Sequence, residues 1–162
     1  MSVTPSQTVG PFFQIGLAHD RWTHLCVGDG ERLRITGVVF DADGRPVTDA
    51  LLEIWQPDRQ AFGRFAVDPD SGTFAFDAIR PASLSAGESP HLCVGLFARG
   101  LLKRLYTRIY FQDEAANAID PVLALVPTQR RATLMALPAR SGSEFRFDIR
   151  LAGPGETVFF EC

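Results

Sequence analysis

The chain has 162 residues, a length that suits one compact domain. Sixteen Lys and Arg against nineteen Asp and Glu leave a net charge of −3, the wrong balance for a nucleic-acid binder or a polybasic membrane-surface protein. Apolar bulk is plentiful, with 13 Phe, but 2 Tyr and 3 His leave little equipment for metal binding or proton transfer near neutral pH.

In chain order, Met1 to Gly16 is punctuated by Pro5, Gly10 and Pro11 and is expected to be an extended arm rather than a helix. No basic-plus-apolar leader is visible there, and no apolar run reaches the roughly 18 residues a membrane span needs. Leu33 to Phe40 has strand period, interrupted by Gly37, and Asp43-Gly44 follows as a hairpin signal. Leu51 to Gln56 is the next strand, ended by Pro57. Gly63 to Val67 and Thr73 to Asp77 are short strands around the turn cluster Asp68 to Gly72.

Residues 81–90 form a loop, and His91 to Phe97 is a buried strand. In the strand Arg104 to Phe111, Leu105, Thr107, Ile109 and Phe111 alternate with Arg104, Tyr106, Arg108 and Tyr110. Only residues 113–137 read as helical, broken by Pro121 and Pro127, with Thr128 capping a helix from Gln129 to Leu137. Ser143 to Leu151 is the cleanest strand: Phe145, Phe147, Ile149 and Leu151 face the core, and Glu144, Arg146, Asp148 and Arg150 face away. Thr157 to Phe160 closes the chain. The expected fold is all-β: a single sandwich of mainly antiparallel strands over residues 1–162, with an N-terminal arm and one or two short helices around 113–137.

Candidate ligands are sparse. His19, His24 and Cys26 form H-x4-H-x-C, which lacks a fourth ligand and reads as a surface loop. His91 and Cys93 lie two apart on one strand face, half of a metal site; packing is the preferred reading, since buried Cys ordinarily packs. Tyr106 and Tyr110 share a face with two arginines and suit an interface. No GxSxG, HExxH, P-loop or GxGxxG is present. Three widely spaced cysteines without CxxC argue against a disulfide framework and for a reduced, cytoplasmic protein.

Thr4-Pro5-Ser6-Gln7-Thr8-Val9-Gly10-Pro11-Phe12, Leu52-Glu53-Ile54-Trp55-Gln56, Gly63-Arg64, Ser89-Pro90-His91, Arg108-Ile109-Tyr110-Phe111 and Phe145-Arg146-Phe147-Asp148-Ile149 occur in the order found in intradiol ring-cleavage dioxygenases, and the chain resembles that family over nearly its whole length. The family's catalytic chains hold ferric iron with two tyrosinates and two histidines, a donor set suited to a hard ion. The resemblance places the first tyrosine in the loop Pro57 to Phe62, which has none. It places the second where Arg80-Pro81-Ala82-Ser83 leads to Leu84. It places the histidines at His91 and Cys93, so only the first is kept.

The resemblance therefore implies no cofactor in this chain and ferric iron in a catalytic beta-type partner. Leu96-Phe97-Ala98-Arg99-Gly100 and Gly155 to Phe160 resemble the family's non-catalytic alpha-type subunits. The implied assembly is an alpha–beta hetero-oligomer that cleaves protocatechuate with O2 to 3-carboxy-cis,cis-muconate, with no nucleic acid and no membrane involved. Its implied substrate-lining residues in this chain are Thr8, Gly10, Pro11, Phe12 and Arg99. The alternative is a stand-alone sandwich that kept the fold and lost the iron chemistry.

Overall fold

In a computed structural model, residues 3–10, 12–18, 25–26, 28–139 and 142–161 are described. Pro11, His19 and His24 lie outside them, so the expectations resting on those three residues have no structural counterpart here. Among the described residues nine strands follow in order: β1 (Arg32–Phe40), β2 (Leu51–Gln56), β3 (Ala61–Ala66), β4 (Thr73–Ile79), β5 (His91–Phe97), β6 (Leu105–Phe111), β7 (Met135–Pro138), β8 (Glu144–Arg146) and β9 (Ile149–Arg150). Their pairing runs β3-β2-β5-β6-β7-β8-β1-β4, with β9 beside β1. Most pairs are antiparallel; β6–β7, β1–β8 and β1–β9 are parallel.

The path folds back on itself, so that its two halves bury one core. Leu52 and Ile54 of β2, Leu92, Val94 and Leu96 of β5, and Ile109 and Phe111 of β6 meet Leu33 and Ile35 of β1, Phe74 and Phe76 of β4, and Phe145. Period-two alternation sends these side chains to one face. Six core phenylalanines among the described residues use much of the residue type that dominates the composition, with Phe65 stacked on Phe76 and Phe111 edge-on to Phe145. No helix among the described residues is long and apolar enough to cross a membrane.

The all-β fold with short helices stands, and several local expectations are corrected. The arm is not extended throughout: Phe13–Leu17 form a short helix, α1, because Phe13 packs its ring 5.3 Å from that of Phe97 and Gln14 Nε2 donates to Val67 O at 2.5 Å. Asp43-Gly44 makes the expected turn, with Gly44 at φ +76°, but the hairpin it closes is short: Pro46 bridges Phe40 antiparallel and Val47 N donates to Val39 O at 2.8 Å, while the main partner of β1 is β4.

The helix expected over Gln129–Leu137 is only α3 (Thr128–Arg131) and a 3-10 turn. Met135–Pro138 is instead claimed by sheet pairing as β7, and Pro127, not Thr128, holds the cap position. A second short helix, α2 (Pro121–Leu125), precedes it, capped by Asp120. The long final strand breaks at Phe147-Asp148, where Asp148 Oδ1 accepts from Val38 N at 2.9 Å. Residues 157–160 contribute one bridge, Tyr106 to Phe160, rather than a strand.

Candidate functional site at the arm and the end of β5

β5 ends at Phe97, and Gly100, at φ +88°, turns the chain, a conformation glycine adopts without the steric cost of a Cβ. The turn exposes the Gly100 N–H, which donates to Thr8 Oγ1 at 2.7 Å and fixes the arm against the sheet end. Arg99 Nε donates to Asp49 Oδ2 while the side chain stays 60% exposed. The structure thus brings Thr8 and Arg99 together.

Gly10 is exposed, and nothing lies within 4 Å of where its Cβ would stand. Beyond it, α1 turns Phe13 and Leu17 inward and leaves Phe12 76% and Ile15 73% exposed. The arm therefore offers a hydroxyl, a bare glycine and two apolar side chains outward, beside an exposed guanidinium. None of these groups is an acid or base that titrates near neutral pH, so the arrangement suits lining and positioning rather than bond making.

The face where the resemblance would put iron has other commitments. His91 is 5% exposed, and its Nδ1–H donates to Ser89 O at 2.9 Å. Its ring lies 5.5 Å from that of Tyr110. Burial holds its pKa below the ordinary imidazole value; the Ser89 bond and nearby Glu88 and Asp120 oppose this, and Arg108 adds to it. Tyr110 shares a face with Arg108, as alternation predicts, but it is wholly buried within the chain rather than set out for an interface. A second apolar layer covers it: Leu123, Val126 and Leu134.

The Tyr110 hydroxyl accepts from Arg108 Nη1 at 3.2 Å and donates to Asp120 Oδ1 at 3.3 Å, and burial pushes its pKa up to about 12. Asp120 also accepts from the N–H groups of Ser89, Val122 and Leu123. This network was not found from the sequence, although Asp120 before Pro121 is a helix-start signal.

These residues do not fit a hard ferric ion. Tyr110 is bound on both sides, Tyr106 lies beneath the Arg104 guanidinium at 4.0 Å, and Leu84 is apolar and exposed. His91 and Cys93 do share a face, as the spacing predicts, but Cys93 is a soft ligand. Among the described residues no three His, Cys, Asp or Glu cluster with metal-site geometry.

No family model matches the chain. It is 41% identical to the protocatechuate 3,4-dioxygenase alpha chain of Burkholderia cepacia, over 98% of this chain and 96% of that one. It is 29% identical to the beta chain of the same enzyme from Burkholderia cepacia, over 79% of this chain and 67% of that one. Among solved structures, an intradiol ring-cleavage dioxygenase from Tetranychus urticae matches at a TM-score of 0.68 and 17% identity, over 97% of this chain and 99% of that one, a likeness of fold.

Proposed function

The chain belongs to the intradiol ring-cleavage dioxygenase family, and from that premise we propose that residues 1–162 act as one domain, the non-catalytic alpha subunit of a protocatechuate 3,4-dioxygenase. Its partner is the beta subunit, which carries the ferric iron. Together they insert both atoms of O2 into protocatechuate to give 3-carboxy-cis,cis-muconate.

The observation that carries this reading is a contrast within the chain. The arm and the β5 end present Thr8, Gly10, Phe12 and Arg99 outward, while the ligand-type residues His91 and Tyr110 are tied into a buried network. In the assembled pair, Thr8, Gly10, Pro11 and Phe12 form a wall of the partner's substrate cavity. Arg99, whose Nε is engaged by Asp49, offers its other donors to the substrate carboxylate. Cys26 and Cys93 as thiols accord with a cytoplasmic site of action.

The test is co-expression. The chain alone is expected to be colourless and iron-free, and the pair to elute together as a red, iron-containing, active complex. Stoichiometric iron with tyrosinate absorption in the chain alone overturns the reading. So does failure to form a mixed complex alongside a stable monomer or homodimer, which is the behaviour of a stand-alone sandwich.

A further inference from the structure

Arg150 closes β9, and the chain then turns back on it. Glu156 N donates to Gly153 O at 3.0 Å, Thr157 N donates to Arg150 O at 3.0 Å, and Arg150 N donates to Thr157 Oγ1 at 3.0 Å. The Arg150 stem packs over Gly155, with Cδ 3.6 Å from where a Cβ would stand there. Its guanidinium rests 4.8 Å from the Phe40 ring centroid. A turn and a ring thus fix the partly buried side chain, yet among the described residues its guanidinium meets no carboxylate and no carbonyl. Arg34, Arg80, Arg130 and Arg146 by contrast each hold a carboxylate.

Arg150 borders a cavity of about 200 Å3, with Ala132, Met135 and Leu137 as its apolar wall. Arg146 and Asp148 also line it; Arg146 Nη2 lies 2.8 Å from Asp148 Oδ1, which takes the Val38 N–H as well. Two guanidinium groups and one carboxylate leave one positive charge in excess. Glu156, in the adjoining groove that shares Thr133 and Gly155, is held by Arg130 at 3.3 Å. Thr157 lines the cavity too and is 1% exposed. Its Oγ1 accepts from Arg150 N, but its hydroxyl proton has no acceptor among the described residues, whereas the Thr133 hydroxyl both donates to Arg130 O and accepts from Val158 N. A buried donor left unanswered is costly. What is missing at this place is therefore an acceptor, and the charge excess makes it an anion. The guanidinium fork matches paired oxygens, and the volume is below that of drug-sized sites. We infer that this cavity is a binding site for a small oxyanion, held by the Arg150 guanidinium and the Thr157 hydroxyl. None of Thr8, Gly10, Phe12 or Arg99 borders it, and the inference goes beyond the subunit reading and stands without it.

Sodium phosphate and sodium butyrate are the probes, each titrated into the full chain at constant ionic strength and followed by amide NMR. The Arg150, Gly155 and Thr157 signals are expected to shift saturably. Saturation by phosphate alone identifies a bare oxyanion as the ligand; saturation by butyrate, with or without phosphate, brings the Met135–Leu137 wall into the site. Arg150→Gln breaks no ion pair, so the fold is kept, and it is expected to weaken binding about tenfold or more, the loss of one charge-assisted contact. Thr157→Val, which removes the hydroxyl, is expected to weaken it severalfold. Arg34→Gln makes the same charge change outside the cavity and is expected to leave the affinity unaltered. Methylammonium is expected to shift none of the three signals. Absence of saturable shifts with both anions, undiminished affinity in Arg150→Gln or Thr157→Val, an equal loss in Arg34→Gln, or saturation by methylammonium each overturn the site. Failure of the subunit reading is seen separately, as absence of a complex with the beta-type partner.

Discussion

Asp120 does more at the scale of single residues than any other buried side chain near His91. It is 1% exposed and accepts from three backbone N–H groups and from the Tyr110 hydroxyl. Asp120→Ala leaves those donors unanswered in a dry environment and is expected to cost about 3 kcal/mol in urea unfolding. Tyr110→Phe removes one hydroxyl and is expected to cost about 1 kcal/mol.

His91 makes a different prediction. Burial holds its folded pKa below the ordinary value of 6.5, so on acidification the unfolded chain takes up the proton first. The stability it contributes is whole above about 6.5 and is lost as pH falls from there toward the folded value. Wild-type unfolding free energy is therefore expected to drop more steeply than that of His91→Gln below about pH 6.5; parallel profiles overturn this account. Glu88 and Asp120 on one side and Arg108 on the other are the charges that face the ring.

At the scale of elements, the core face of the strands was legible because period-two alternation does not depend on what a strand pairs with. Phe145, Phe147 and Ile149 point inward as the pattern requires, even though the strand carrying them breaks at Phe147-Asp148. The break itself was illegible, since it comes from Asp148 accepting the N–H of Val38, a residue 110 positions away. Tyr110 shows a related limit: alternation gives its face, but only the packing of Leu123, Val126 and Leu134 decides that the ring is buried within the chain rather than offered to an interface. At the candidate site, the family motifs named Thr8 and Arg99, but nothing local foretold their convergence through the Gly100 turn or the use of Asp49 by Arg99.

Gly37 joins sequence to packing most directly. It interrupts the β1 pattern, and a Cβ there would stand 1.9 Å from Phe147 O and 2.5 Å from Phe74 Cζ. Backbone approaches backbone at this point, which explains a glycine in mid-strand. Gly37→Ala is expected to cost about 3 kcal/mol or more by urea unfolding, at the upper end of overpacking effects.

Over the whole molecule, the apolar residues that the fold leaves outside are as telling as the core. α1 is too short to persist alone. It is held by Phe13 against Phe97 and by Gln14 on Val67 O, and those anchors set Phe12 and Ile15 facing outward. A chain that spends contacts to fix two exposed hydrophobic side chains gains from them only when another surface covers them. Fully burying each stabilises association by roughly 1.5–3 kcal/mol. Phe12→Ser with Ile15→Ser is therefore expected to leave the isolated chain's melting curve unchanged, because neither residue belongs to the core. The same change is expected to weaken its complex with the beta-type partner by at least about a hundredfold in sedimentation equilibrium, the equivalent of about 3 kcal/mol. Arg99→Gln separates contact from chemistry: if the guanidinium meets the substrate carboxylate, KM for protocatechuate rises about tenfold or more while the complex stays intact. An unchanged KM with a dissociating complex assigns Arg99 to the interface alone, and unchanged behaviour in both returns it to its Asp49 partner as a surface ion pair, worth less than about 1 kcal/mol.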